Sequence, residues 1–374
     1  MRIAFVSDAA YPWNVGGLET LERAEAEALA VAHEVHFFSF RWPGMKPEFA
    51  SKGIHYHTFH PITKEKFYRH HRRSIREALV FAAGMLRIFR YRFDVIQANE
   101  FPILHLPLLR LYCALAGCRL IVDTHEVWDR GYWTTYIGAV PGLLAFHYAN
   151  FCLKGASHYI SNASKTEADL RGLGIERGRI TTFSPVIDDV LMRGLCEPRQ
   201  KKQIIFAGRM IKEKRIDKWL LALKRLNKAS RVRGVLIGEG PEESRIRRMI
   251  RRMSLQSVVE FRGFYKDKRR LYRRIKESSL LLHMSEREGL SLIALESLAL
   301  GTPVLLPDYS PIPVDVSAMC VVEPEEKIPE AAQRILGGPK ANYIRNPGLV
   351  ERFYLSRISG FYETLFSKLF RHRE

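Results

Sequence analysis

The sequence lacks any run of the roughly 18 uninterrupted apolar residues that a spanning helix needs. Its nearest approach, 101–122, is broken by Arg110 and Arg119. Cysteine is sparse: Cys113, Cys118, Cys152, Cys196 and Cys320 form no CxxC pair and are odd in number. That pattern excludes a disulfide framework or a structural zinc site and suits a reducing interior, with the thiols as small buried hydrophobes. The opening MRIAFVSD reads as a strand rather than a secretory signal, so a cytoplasmic location is expected. There is no GxGxxG dinucleotide fingerprint and no DxD motif. Helix-turn-helix, zinc and RNP-type signatures are missing too, and nucleic acid is not expected as a partner. Acidic residues are the scarcer charge, 40 against 59 Lys and Arg, for a net charge of +19. Such a surface attracts phosphate in nucleic acid, anionic lipid or a small molecule, and charge alone does not choose among them.

What is present is a regular alternation. At 374 residues, 47% of them hydrophobic and 26% charged, the chain is a folded protein too long for one ordinary core. RIAFVS, EVHFFSF, IHYHTF, DVIQA, RLIVDT and SHYIS read as strands in the first half, and QIIFAG, VRGVLIG, VVEFRG, SLLLHM, TPVLLP and MCVVE in the second. Helical patterns separate most of them, which predicts α/β architecture with two doubly wound parallel sheets. Polarity rises and periodicity fades over 188–203, where a linker is expected. The predicted domains are 1–190 and 200–345, and the helical, aromatic-rich tail 348–374 is expected to pack back on the first. Two such domains leave a cleft at the carboxyl ends of their strands, so residues that immediately follow strands are the candidates.

Gly16 and Gly17 follow the first strand and open a helix, where a loop without Cβ atoms lets backbone N–H groups approach a phosphate; a plain turn is the alternative. His125 and Glu126 follow RLIVDT, and position alone leaves His125 open between an active-site group and a loop histidine. In IIFAGRMIKEK, Arg209 follows a strand and Lys214 precedes a helix, either as a diphosphate clamp or as a solvated basic loop. VLIGEGPEE sets Gly238 and Gly240 around Glu239 in a tight loop able to admit a flat base. After SLLLHM, the stretch SEREGLSLIALES places Glu288 in a loop and Glu296 in the second turn of a helix capped by Ser291 and ended by Gly301. Carboxylates beside a helix N-terminus oppose a bare phosphate, but they accept hydrogen bonds from a vicinal diol. Cations and amides for a diphosphate, with carboxylates for sugars, suggest a nucleotide sugar.

With these residues in hand, the chain resembles the retaining glycosyltransferases of family 4 (group 1), over nearly its whole length and most strongly over 203–308. The two glutamates separated by seven residues are Glu288 and Glu296, the Gly-Arg…Lys element is Gly208-Arg209 with Lys214, and the glycine loop is Gly16-Gly17. The resemblance implies the GT-B fold, two Rossmann-like domains facing across a cleft. It implies that Glu296 binds the ribose, that Glu288 binds the transferred sugar, and that Arg209 and Lys214 hold the diphosphate. Backbone N–H groups around Gly17, Gly289 and Ser291 to Leu292 would assist. His125 would contact the donor sugar near the reacting carbon, and the loop around Gly240 with Phe264 would border the base. The implied reaction is metal-independent transfer with retention, with no cofactor beyond the nucleotide-diphosphate sugar donor. Two stretches depart from the family pattern. Ser184-Pro185 stands where an Asn-Gly pair is common, and YSPIPVDV lacks the usual glycines.

The acceptor is expected on the first domain, as a glycan or a lipid-linked molecule. Residues 64–92 mix arginines with Phe67, Tyr68, Phe81, Leu86, Ile88 and Phe89. They read either as a basic helix lying peripherally on an anionic membrane face or as a helix packed on the sheet. RIRRMIRRM and DKRRLYRRIK read as solvated basic faces. The rival readings are a sugar-nucleotide epimerase or phosphorylase of the same fold, and an inactive nucleotide-sugar binder.

Overall fold

Strands buried on both faces are mostly apolar, as Ile3 to Val6 are; Val95–Asn99 and Arg119–Thr124 are equally buried but carry Gln97, Asn99, Asp123 and Thr124. The computed structural model describes residues 1–14, 17–63, 68–69, 72–196, 200–288 and 290–371. The chain divides into two compact units, 1–185 with 357–374, and 186–356.

The sheet of the first unit runs in the order Ile180–Thr182, His158–Ser161, Arg119–Thr124, Val95–Asn99, Arg2–Val6, Glu34–Arg41, Ile54–Pro61, Glu48–Ser51. Every pairing is parallel except the edge strand Glu48–Ser51, which runs against Ile54–Pro61. The chain builds outward from Arg2–Val6 in one direction, then resumes on its other side with Val95–Asn99. Neighbouring loops diverge at such a reversal and leave a crevice beyond the strand ends. The helix Gly17–Leu29 follows the first strand, and Ile358–Phe370 packs nearby through Tyr362, whose OH donates to Gln97 Oε1 at 2.7 Å.

In the second unit the order is Val259–Arg262, Arg233–Ile237, Lys201–Ala207, Ser278–Leu282, Val304–Pro307, Val321–Glu323, all parallel. Here the reversal lies between Lys201–Ala207 and Ser278–Leu282. One core layer is built on Trp219, Leu220 and Leu223 of the helix Ile216–Ser230. Another takes in Ala294, Leu295 and Leu298 of the helix Leu292–Ala299.

Every strand expected from the sequence is present, and four short ones are additional: Glu48–Ser51, Ile180–Thr182 and the antiparallel pair Tyr68–Arg69 with Arg72–Arg73. Asp189–Arg193, inside the stretch read as a linker, is a helix of the second unit, fixed by Ser356, whose N–H and OH both donate to Asp189. The basic stretch 64–92 is not one helix. Its described part is a short antiparallel pair, Tyr68–Arg69 with Arg72–Arg73, then the helix Ile75–Gly84 and a 3-10 turn, Met85–Arg90. Phe81 and Ile88 are buried, whereas Leu86 and Phe89 are exposed, and Phe67 lies outside the described residues. Among the described residues no helix is long and apolar enough to cross a membrane.

Candidate active-site residues in the two units

In the second unit the strand order itself assembles the site. The loops that leave Lys201–Ala207 and Ser278–Leu282 start from neighbouring strands at the reversal and are stitched together by backbone: Glu286 N–H donates to Glu213 O at 2.9 Å. That contact delivers Lys214, at the end of the 3-10 turn Lys212–Lys214, directly to Glu288 Oε1. The same oxygen is 2.8 Å from His283 Nε2, which is also 3.2 Å from Ser291 Oγ. Lys214 and Glu288 are mostly buried, their side chains 18% and 13% exposed. Burial alone would raise the Glu288 carboxyl, but hydrogen bonds from His283 and Lys214 and their positive charge hold it below the usual carboxylate range.

Ser291 occupies the N-cap position of Leu292–Ala299 without a side-chain cap bond, because its hydroxyl is turned to His283. Leu292, the first helical residue, is 40% exposed. Glu296 sits one turn further on in a helix whose neighbours are core, and it is buried. Its Oε1 accepts from Tyr272 OH at 2.9 Å and Lys268 Nζ at 3.2 Å, both from the helix Lys268–Glu277. Arg209 differs: its side chain is exposed and makes no hydrogen bond or ion pair with a described residue. Lys214 is therefore committed to Glu288, while Arg209 is uncommitted.

The Gly238–Gly240 loop has a different reason for its glycines from the one expected. Gly238 has φ +137, and a Cβ there would lie 2.0 Å from Gly208 O; at Gly240, φ +159, it would lie 2.4 Å from Met210 O. The space that these glycines leave is filled by the backbone of the Arg209 loop, locked by Met210 N–H donating to Glu239 O at 2.8 Å. Glu239 Oε1 in turn accepts from Phe264 N–H at 3.2 Å, which holds the 66%-exposed Phe264 ring at the surface.

The first unit gathers acids at its own reversal. Asn99 donates to Ser7 Oγ at 3.0 Å and to Glu22 Oε1, tying the ends of the two central strands to the helix Gly17–Leu29. Glu25, one turn along that helix, accepts from Gln97 at 3.0 Å. His125, 24% exposed on its side chain, has Nε2 3.5 Å from Asp123 Oδ2. Its N–H and that of Glu126 donate to Glu100 Oε1 at 3.0 and 3.2 Å. Burial pushes the Glu100 carboxyl up to about 7 and raises Glu22 and Glu25 well above the usual range. Burial would lower His125, but Asp123, Glu100 and Glu22 outweigh it and raise the imidazole to about 10. His125 thus carries its positive charge among carboxyls that burial pushes upward.

Of the residues proposed from sequence, Lys214, Glu288 and Ser291 come together, and Glu296 lies in the next helix. Gly17 opens the helix Gly17–Leu29, while Gly16 and Gly289 lie outside the described residues. The sequence reading missed His283, Lys268 and Tyr272 in the second unit and Glu22, Glu25, Glu100 and Asp123 in the first. His283 had one usable signal, its place directly after a buried strand. Glu22 and Glu25 had another, a three-residue spacing that sets both on one helical face.

Two family models match in succession, Glycosyltransferase Family 4 over residues 15–190 and Glycosyl transferases group 1 over 190–336. Among characterised relatives, the chain is 29% identical over 141 residues to a GDP-mannose-dependent alpha-(1-6)-phosphatidylinositol dimannoside mannosyltransferase of Mycobacterium tuberculosis, covering 37% of this chain and 36% of the relative. It is 25% identical over 182 residues to the N-acetyl-alpha-D-glucosaminyl L-malate synthase of Bacillus anthracis, covering 46% of each. The chain thus matches less than half the length of these relatives. Among solved structures, Anabaena HepE in complex with UDP superposes with a TM-score of 0.69 at 15% identity, over 98% of this chain and 100% of that one. A likeness at that identity speaks to the fold, which is that of the GT-B glycosyltransferases.

Proposed function

We propose that this chain, which belongs to the family 4 (group 1) glycosyltransferases, moves a hexose-type sugar from a nucleotide-diphosphate sugar to a glycan or lipid-linked acceptor, with retention at the anomeric carbon. The observation that carries the reading is the Lys214–Glu288–His283 constellation at the strand reversal of the second unit, with Glu296 in the following helix. In this reading Arg209, which is uncommitted, meets the diphosphate first. Lys214 is shared between the phosphates and Glu288, and positive charge fixed beside the leaving diphosphate stabilises what develops there in the transition state. Glu288, kept ionised by His283 and Lys214, accepts from hydroxyls of the transferred sugar, and Glu296 accepts from the ribose. His125, in the first unit, carries a positive charge beside its own strand ends. The diphosphate is assigned to these protein cations without a resident metal or cofactor.

The likenesses to a mannosyltransferase, an N-acetylglucosaminyl-malate synthase and a UDP complex support a nucleotide-sugar donor. The net charge of +19 favours peripheral contact with an anionic membrane at its cytoplasmic face. The test is release of nucleoside diphosphate from a panel of nucleotide sugars, with and without acceptor. Lys214→Ala is expected to lower turnover about 100-fold or more. A wild type that turns over no nucleotide sugar while still binding one would instead favour the inactive binder.

A further inference from the structure

The first unit carries a feature that the donor chemistry does not use. A cavity of about 200 Å³ is walled by Ile75, Phe101, Leu104, Trp128, Trp133 and Tyr148 among other almost wholly apolar side chains. It is smaller than the roughly 300–1,000 Å³ of pockets that enclose a whole small ligand, and a sugar would find few hydrogen-bond partners on its walls. Its loops are those that carry His125. Phe101 follows Glu100, which caps the His125 turn, and Trp128 donates to Glu126 Oε2 at 3.1 Å.

The helix Ala139–Leu153, which adds Ala145 and Tyr148 to the cavity wall, turns an unpaired apolar stripe outward. Val140, Leu144, Tyr148 and Phe151, spaced as one helical face, are 71%, 66%, 43% and 61% exposed. Cations flank the stripe, and the nearest acids in sequence, Glu126 and Asp129, lie at the Trp128 end. Arg110 lies over the Phe151 ring at 5.3 Å, Arg130 and Lys154 are exposed at the two ends of this region, and no Asp or Glu occurs from 130 to 166. A protein partner or a second copy would have to bury this stripe beside these cations. An anionic lipid satisfies both halves at once.

We propose that this face seats an anionic lipid and that the cavity takes one of its hydrocarbon chains, which makes the acceptor lipid-linked. The proposal rests on the transferase reading for the word acceptor only, since the binding itself is independent of turnover. The full chain has five tryptophans, of which Trp42 and Trp219 are fully buried while Trp128 and Trp133 line the cavity. Vesicles of phosphatidylglycerol with bromines on the acyl chains are expected to quench tryptophan fluorescence relative to unbrominated vesicles. The Trp128→Phe/Trp133→Phe double variant is expected to lose most of that quenching. Leu144→Glu, on the exposed stripe, is expected to weaken vesicle binding roughly tenfold or more with an unchanged melting temperature.

Equal quenching in the double variant, or none in the wild type, overturns the proposal. So does a shift from dimer to monomer on Leu144→Glu without quenching, which would make the stripe a face between copies. Intact nucleotide-sugar turnover with no quenching removes the lipid site alone. Quenching without any transfer leaves the lipid site standing and removes the transferase reading.

Discussion

In the first unit Glu22, Glu25, Glu100 and Asp123 are buried around a single imidazolium, whereas in the second Glu288 and Glu296 each meet a lysine and a further donor. The same sheet architecture and the same strand reversal therefore produce opposite electrostatics. Where cations are outnumbered, burial wins and Glu22, Glu25 and Glu100 rise, Glu100 to about 7. Where a lysine and a histidine converge on one oxygen, pairing wins over burial and Glu288 is held down. The second arrangement keeps a formal charge ready to accept hydroxyl donors. The first favours the neutral form of buried carboxyls and keeps one positive charge, on His125, next to the strand ends.

The sharpest way to break this comparison is to remove the corresponding carboxylate charge from each unit. Glu288→Gln leaves Lys214 without its anion and is expected to lower sugar transfer by about 100-fold or more. Glu100→Gln keeps an acceptor for the His125 and Glu126 N–H groups, so turnover at neutral pH should change far less. Equal losses from the two would show that the units do not differ as described.

Next in size is the backbone contact that shapes the second unit. Ala at Gly238 or Gly240 must displace a carbonyl 2.0 or 2.4 Å away from a positive φ, and should cost on the order of 3 kcal/mol in denaturant unfolding. In the first unit Gly172→Ala, with nothing within 4 Å at the end of the helix Ser164–Gly172, should be neutral or stabilise by about 0.4–1 kcal/mol.

A subtler effect concerns His125. Asp123→Asn removes its strongest favourable partner, and the imidazole followed by NMR should titrate roughly 1–3 pH units lower than about 10. A His pKa raised on folding adds stability that is complete below the unfolded value near 6.5 and is lost as pH rises toward about 10. The wild type should therefore show that loss over this window, and Asp123→Asn should show less of it. For turnover the smallest expected change is in Tyr362→Phe, which removes a buried donor to Gln97 and should cost about 1–3 kcal/mol of stability.

Much of this was legible in the sequence, and the exceptions have physical causes. Parallel strands announce themselves as short apolar runs between helical patterns, so QIIFAG and SLLLHM could be read directly. Glu48–Ser51 could not, because a four-residue edge strand half open to solvent carries no apolar run. Glu288 and Glu296 stood out as acids in apolar surroundings. Their partners did not, since Lys268 and Tyr272 lie 28 and 24 residues from Glu296 and meet it only through tertiary packing. His283 was hidden in the tail of a strand pattern. Glu22 and Glu25 were not singled out, since charged residues seldom face a sheet.

The account rests on the second unit holding a nucleotide sugar through Lys214, Glu288 and Glu296. The most direct measurement is thermal unfolding of the full chain titrated with nucleoside diphosphates and their hexose conjugates, in the wild type and in Lys214→Ala and Glu296→Ala. The account predicts saturable stabilisation of the wild type by at least one of them, reaching about 2.7 kcal/mol at 100 times its Kd, and a much weaker response in both variants. No stabilisation of the wild type by any of these ligands, or an equal response in all three proteins, would contradict it.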